Sequence, residues 1–346
     1  MLIWHYQHFS FVGTHPVGLV RAEQPLYRLL APFYEFGQYG VEVFWAISGF
    51  IFFWKYAAPI RAGAVGAARF FWLRFSRLYP LHLATLLVVA GLQAIHHHGQ
   101  GVYFVYPDNR LRSFLLQLVL GSHWFSPLTG YSFNGPISSV SLEVLAYLFF
   151  YLWSRRCGAR WWSALLPLPL FFFVGKHYGS QQLECLGFFQ AGCVTAFVYR
   201  RAARWIDLVA AAGLVVASAA QWRWPTEARI FLLYAAPMAI YLALRWVRPS
   251  GRVRRGVEAL GNLTYASYLL HFPIQLAVAI AFGWLARPIP FYSPLLLAGF
   301  IGVTFALSWL CYHRFERPAQ DALRRRLLGS TSGAPRDSRR AATSPG

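Results

Sequence analysis

The sequence predicts an all-α polytopic membrane protein with about ten transmembrane helices and both termini in the cytoplasm. Three observations carry this. Of 346 residues, 57% are hydrophobic and only 13% are charged, whereas a soluble domain carries about 25% charge. The mean hydropathy is accordingly high, +0.40. The apolar residues gather into runs of membrane-crossing scale, and the basic residues form short clusters between them. The net charge of +20 therefore reads as loops facing anionic lipid, not as one phosphate-tracking face, and nucleic acid is excluded as a partner.

Ten apolar runs lie at about 1–13, 38–56, 78–96, 136–154, 162–175, 183–199, 206–220, 229–247, 262–284 and 293–313. Several fall short of the ~20 residues that an upright helix needs. Ser113–Ser122 is apolar but shorter still, and reads as an interfacial or re-entrant piece. The connections after the second, fourth, sixth and eighth runs, with the segment to Arg326 after the tenth, hold nineteen arginines. The alternate connections hold six arginines and Lys176. Positive charge concentrates on the cytoplasmic side of membrane proteins, which sets the orientation.

Residues 1–13 read as the second half of a helix whose start lies upstream. No basic anchor precedes Phe11, and neither the charged n-region nor the cleavage site of a signal peptide is present. The long external connection, about 97–135, is rich in Tyr, Phe, Gly, Pro, His and Asn. Its rings suit a sugar or glycolipid, and an interfacial aromatic belt would look the same. Residues 1–320 form one transmembrane domain, and 321–346 a basic cytoplasmic tail expected to be disordered from about 329. Cys157, Cys185, Cys193 and Cys311 lack metal-type spacing and read as reduced core residues.

The stretch most suggestive of chemistry is Gly135-Pro-Ile-Ser-Ser-Val-Ser-Leu-Glu143, which runs straight into an apolar helix. A charge at bilayer depth costs at least ~2.5–3.5 kcal/mol, so Glu143 is paired, cavity-facing or functional, unless it sits at the interface as a first-turn acid favoured by the helix dipole. His5 and His8 lie one turn apart in the first run, and position alone does not choose between them as a base or as structural histidines. Glu42 opens the second run, in which Ser48-Gly49 suits close helix packing. Arg74 and Arg77 share a helix face at a cytoplasmic entry and could clamp phosphates, although anchoring also predicts arginine there. His96-His97-His98 cannot converge tetrahedrally on a metal, and no metal is expected. In Leu260–Ile274, Tyr268 and His271 precede Pro273; His271 either binds substrate or satisfies carbonyls that the proline frees.

Taken in order, Ile3-Trp-His5-Tyr6, Val41–Phe50, Arg74-x-x-Arg77-Leu-Tyr-Pro80, Gly135–Glu143, Leu260–Ile274 and Arg314-Phe-Glu-Arg-Pro318 resemble the membrane-bound acyltransferase 3 family. The resemblance implies transfer of an acyl group, often acetyl, from cytoplasmic acyl-coenzyme A to a hydroxyl of an extracytoplasmic glycan or glycolipid at the inner membrane. Members acylate O-antigen, exopolysaccharide, peptidoglycan, Nod factors and macrolides. It also implies that His5 and Glu143 are catalytic and that Arg74 and Arg77 hold the coenzyme. Glu42, Ser141, Tyr268 and His271 are the expected substrate contacts. Two departures stand out: the family arginine about eleven residues before His5 has no counterpart here, and Ser138 replaces the motif tryptophan. The rival reading is a glycolipid or solute transporter or flippase, against which the paired arginines and the lack of an internal repeat both count.

Overall fold

The computed structural model describes residues 1–124 and 130–329. The tail beyond 329, read above as disordered, lies outside the described residues. The chain opens with one helical turn, α1 (Leu2–His5), and a 3₁₀ segment, Tyr6–Ser10, before a two-stranded antiparallel ribbon, β1 (Phe11–Val12) and β2 (His15–Pro16). Next come α2 (Tyr27–Phe36), α3 (Gly40–Arg61), α4 (Ala67–Gln100), α5 (Leu111–Leu118) and α6 (Ile137–Cys157). The short α7 (Trp161–Leu165) and α8 (Pro167–His177) lead to α9 (Gln181–Tyr199), α10 (Arg204–Arg223) and α11 (Ala228–Trp246). The long α12 (Gly251–Trp284), α13 (Pro294–Cys311), a π-helical turn at Tyr312–Glu316 and α14 (Arg317–Leu328) complete it.

Among the described residues, seven helices are long and apolar enough to cross a membrane, and the chain is an all-α polytopic membrane protein. The other three of the ten expected spans differ for identifiable reasons. The first run is not one helix: it tightens after His5, where the Ser10 hydroxyl donates to the Gln7 carbonyl at 2.7 Å, and then turns into the ribbon. The fifth is split between α7 and α8 where Pro167 begins a new helix, a position that suits a residue without an N–H. The sixth is the 19-residue α9, whose Gln181, Gln182, Glu184 and Gln190 dilute its hydropathy. It is a core helix, buried on most of its circumference.

Around α9 the packing is closest. A Cβ placed on Gly49 of α3 would lie 1.8 Å from the Phe189 carbonyl oxygen, and one on Gly192 of α9 would lie 1.8 Å from that of Ala46. The two backbones touch through paired glycines, as small residues permit. Farther out, α10 buries only Asp207, which receives two hydrogen bonds from Arg245 of α11, at 2.9 and 2.8 Å, and one from Tyr241 at 2.6 Å. Trp205, Leu208, Val215 and Val216 face outward from α10, as lipid-facing residues do.

Proline 273 removes the N–H that would bond the Leu269 carbonyl. The Asn134 side-chain amide supplies the missing donor at 3.2 Å, so this carbonyl does not need His271. Gly49→Val or Gly192→Val should cost more than the ~1–3 kcal/mol of ordinary overpacking, read as loss of monodisperse protein in detergent, whereas Gly261→Ala, with open space around it, should leave the yield unchanged.

Candidate functional site

Two cavities lie side by side within the bundle. The first, about 560 Å³, is lined by His5 and His8, by Glu42 and Trp45 of α3, and by Tyr106 and Tyr131 of the long loop. The second, about 330 Å³, is lined by Arg74 and Arg77 of α4, Glu143 and Tyr147 of α6, and Tyr265 of α12. Met1, Val41, Ser139 and Tyr268 line both. The Tyr268 and Ser139 hydroxyls, 2.9 Å apart, therefore stand at the shared wall.

His5 is 6% exposed and stacks on His271 with ring centroids 4.6 Å apart and planes 17° from parallel. His8 follows at 5.0 Å. One residue of α12, the fully buried Gln275, fixes this arrangement: its amide nitrogen donates to the His5 carbonyl at 2.8 Å, and its oxygen lies 3.3 Å from His8 Nδ1. His8 Nδ1 is thus engaged, while His5 Nδ1 is buried without a hydrogen-bond partner. Both ring nitrogens of the fully buried His271 are likewise without a hydrogen-bond partner. A paired polar side chain in an apolar span, one turn after His271, was the sequence signal for Gln275.

Glu143 is 1% exposed and lies in the second cavity, not beside His5. Its Oε1 accepts from the Ser48 hydroxyl at 2.5 Å, and its other neighbours are Tyr147 and the charge of Arg74. No hydrogen bond joins Glu143 to His5 among the described residues. Ser48 and Gly49 divide their work, the hydroxyl meeting Glu143 and the glycine meeting α9.

The paired arginines share one face as their spacing requires, and each head group is held. Arg74 donates to the Tyr56 hydroxyl at 2.9 Å and lies over the Phe52 and Tyr56 rings at 5.0 and 5.3 Å. Arg77 forms an ion pair with the buried Glu316 in the π-helical turn. The Arg314–Pro318 stretch is thereby tied to the Arg74–Pro80 stretch through space. Glu42 accepts from Arg229 Nε at 3.1 Å, and Glu184 shares the same guanidinium at 3.4 Å. Ser141 lines neither cavity. Its hydroxyl accepts from the His123 amide at 3.2 Å and its carbonyl from Trp124 Nε1 at 2.9 Å, so it anchors the long loop. His96 and His97 turn to different partners, the Val102 carbonyl and the Tyr103 ring.

The family model described as an acyltransferase domain, of the acyltransferase 3 type, matches residues 1–313. The chain belongs to this family. Among curated proteins it is similar to Acyltransferase MdmB of Streptomyces mycarofaciens, 31% identical over 155 residues. That match covers 41% of this chain and 36% of the relative, so the chain spans about a third of the length of the curated relative it matches. No solved structure matches. The acyltransferase-family match ends just short of Glu316, so the partner of Arg77 lies beyond it. Arg229 and Glu184 went unnoticed in the sequence, and Glu316 was read only as part of the Arg314–Pro318 motif, because arginines and acids at run ends look alike whether they anchor a helix or pair within it.

Breaking a buried ion pair from one side strands the other charge, whereas replacing both partners with apolar groups can be neutral. Arg77→Met should therefore cost about 3 kcal/mol of stability, read as a lowered thermal midpoint in detergent, and adding Glu316→Leu should restore the midpoint.

Proposed function

We propose that this is an inner-membrane O-acyltransferase that moves an acyl group, acetyl in the simplest case, from cytoplasmic acyl-coenzyme A to a hydroxyl of an extracytoplasmic glycan or glycolipid. The observation that carries the reading is the pair of cavities meeting at Tyr268 and Ser139. One is apolar with arginines at its edge, which suits an acyl-pantetheine arm ending in phosphates. The other is aromatic and polar and holds the histidines, which suits a sugar. Arginine-rich connections belong on the cytoplasmic side, and Arg74 and Arg77 sit at the end of α4 that follows such a connection.

In this reading the acceptor hydroxyl approaches His5 in the first cavity while the thioester reaches the shared wall from the second. The His5 imidazole takes the hydroxyl proton as the oxygen attacks the thioester carbon. The new C–O bond forms, the C–S bond breaks, and the proton passes to the departing thiolate. His271, stacked on His5, and Gln275, holding its carbonyl, fix the ring. Arg74 and Arg77 keep the donor phosphates at the far edge, with Glu316 and Tyr56 holding their side chains extended. Glu143 acts within the donor cavity, where its hydrogen bond to Ser48 and its proximity to Arg74 shape the wall. An alternative route would carry the acyl group on His5 itself.

Membranes expressing the chain should transfer label from radiolabelled acetyl-coenzyme A into a glycan fraction. His5→Ala should lower transfer by roughly 10²–10⁴-fold, the range of general-base catalysis, with the protein still present in the membrane. Full turnover in that variant would remove His5 from the mechanism. Label retained on the protein when acceptor is withheld would identify His5 as a carrier.

A further inference from the structure

The chain carries a net charge of +20, yet the charged side chains lining the first cavity are three carboxylates, Glu42, Asp108 and Glu184, against one guanidinium, Arg229. That guanidinium is divided between Glu42 at 3.1 Å and Glu184 at 3.4 Å. Lys176 is held by Glu227 at 2.8 Å and does not line the cavity. Asp108 accepts from Ser113 at 2.6 Å, and its other oxygen is 4.0 Å from Arg110, whose side chain is 90% exposed. The imidazoles of His5, His8 and His15, the phenols of Tyr39, Tyr106, Tyr131 and Tyr268, and Met1 with its α-amine also line it.

Glu42 is 5% exposed, and its Oε2 has no hydrogen-bond partner. One helical turn away, Trp45 is also 5% exposed, and its Nε1 is likewise unpartnered. A buried acceptor and a buried donor thus stand together on the α3 wall of one cavity, and buried polar groups are normally satisfied. Aromatic rings of Trp4, Tyr39 and Tyr106 line the same space.

We propose that this cavity selects an acceptor bearing a positively charged amine beside its reactive hydroxyl, and turns away anionic glycans; the proposal rests on the reading of the cavity as the acceptor side. A neutral hydroxyl would satisfy Glu42 Oε2 but leave the surplus negative charge desolvated. An ammonium satisfies the oxygen and offsets the charge together, and the aromatic walls favour a cation over their faces. A hydroxyl next to the amine accepts from Trp45 Nε1. An acidic sugar meets like charge at close range in a poorly screened site.

Binding of three methyl glycosides to the full chain in lipid nanodiscs tests this: a 2-amino-2-deoxyglucoside, the matched glucoside and the matched glucuronide, each titrated calorimetrically. The amino sugar should bind about tenfold tighter than the glucoside, and the glucuronide weaker than either. Glu42→Gln should bring the amino-to-neutral ratio close to one, and Asp108→Asn, at the loop edge, should lower it if the first variant does not fold. Equal affinities, tighter glucuronide binding, no binding of any probe, or an unchanged ratio in both variants would overturn the proposal. Binding of the amino sugar without its acylation by labelled acetyl-coenzyme A would leave this subsite standing and defeat the acyltransferase reading. Equal acylation of all three probes would do the reverse.

Discussion

Backbone contact between α3 and α9 is the constraint from which the rest of the arrangement follows. With Gly49 against the Phe189 carbonyl and Gly192 against that of Ala46, α3 has no freedom to slide or roll on the core. Its remaining faces are then fixed toward both cavities. Glu42 and Trp45 line the first, and Ser48 reaches Glu143 in the second. A single residue with a side chain at either glycine would push α3 outward and open the wall on which both cavities depend. Close backbone approach in a membrane gains from dispersion and small-residue packing, since lipid tails offer no hydrophobic drive between helices.

Buried acids within the spans are each matched to a donor on a different helix. Asp207 is paired with Arg245, Glu316 with Arg77, Glu42 with Arg229 and Glu143 with Ser48. These contacts join α10 to α11, the π-helical turn to α4, α3 to α11, and α6 to α3. A polar pair in hydrocarbon is costly to form and costlier to break from one side, so such pairs set which helices are neighbours and in what register. The pairs near the cavities hold the walls and fix the arginine heads at their edges.

Much of this was legible in the sequence, and what was not has a physical reason. The all-α membrane class followed from composition, and the family from six motifs in order. Hydropathy left Glu143 either at depth or at the interface, and packing buries it, whereas the shared face of Arg74 and Arg77 followed from helical spacing. Partners separated by hundreds of residues did not: His5 against His271, His8 against Gln275 and Arg77 against Glu316 are products of helix packing that no local pattern encodes. Ser141 stands inside a motif, yet it anchors the long loop, because a helix turns only some of its motif residues toward a cavity. The run 162–175 read as a span because hydropathy averages over Pro167, where the helix breaks. The first run read as a helix because its residues are apolar, although Gln7, Ser10 and Gly13 divert it into a 3₁₀ turn and a ribbon.

The account turns on donor and acceptor meeting at the wall that Tyr268 and Ser139 share. The most direct measurement is acyl transfer alongside donor binding in Ser139→Trp, which would fill that junction without touching His5, Arg74 or Arg77. Acetyl-coenzyme A binding close to that of the unaltered chain, with transfer to the glycan lost, is the predicted result. Transfer at the unaltered rate in this variant would mean that the two substrates meet elsewhere.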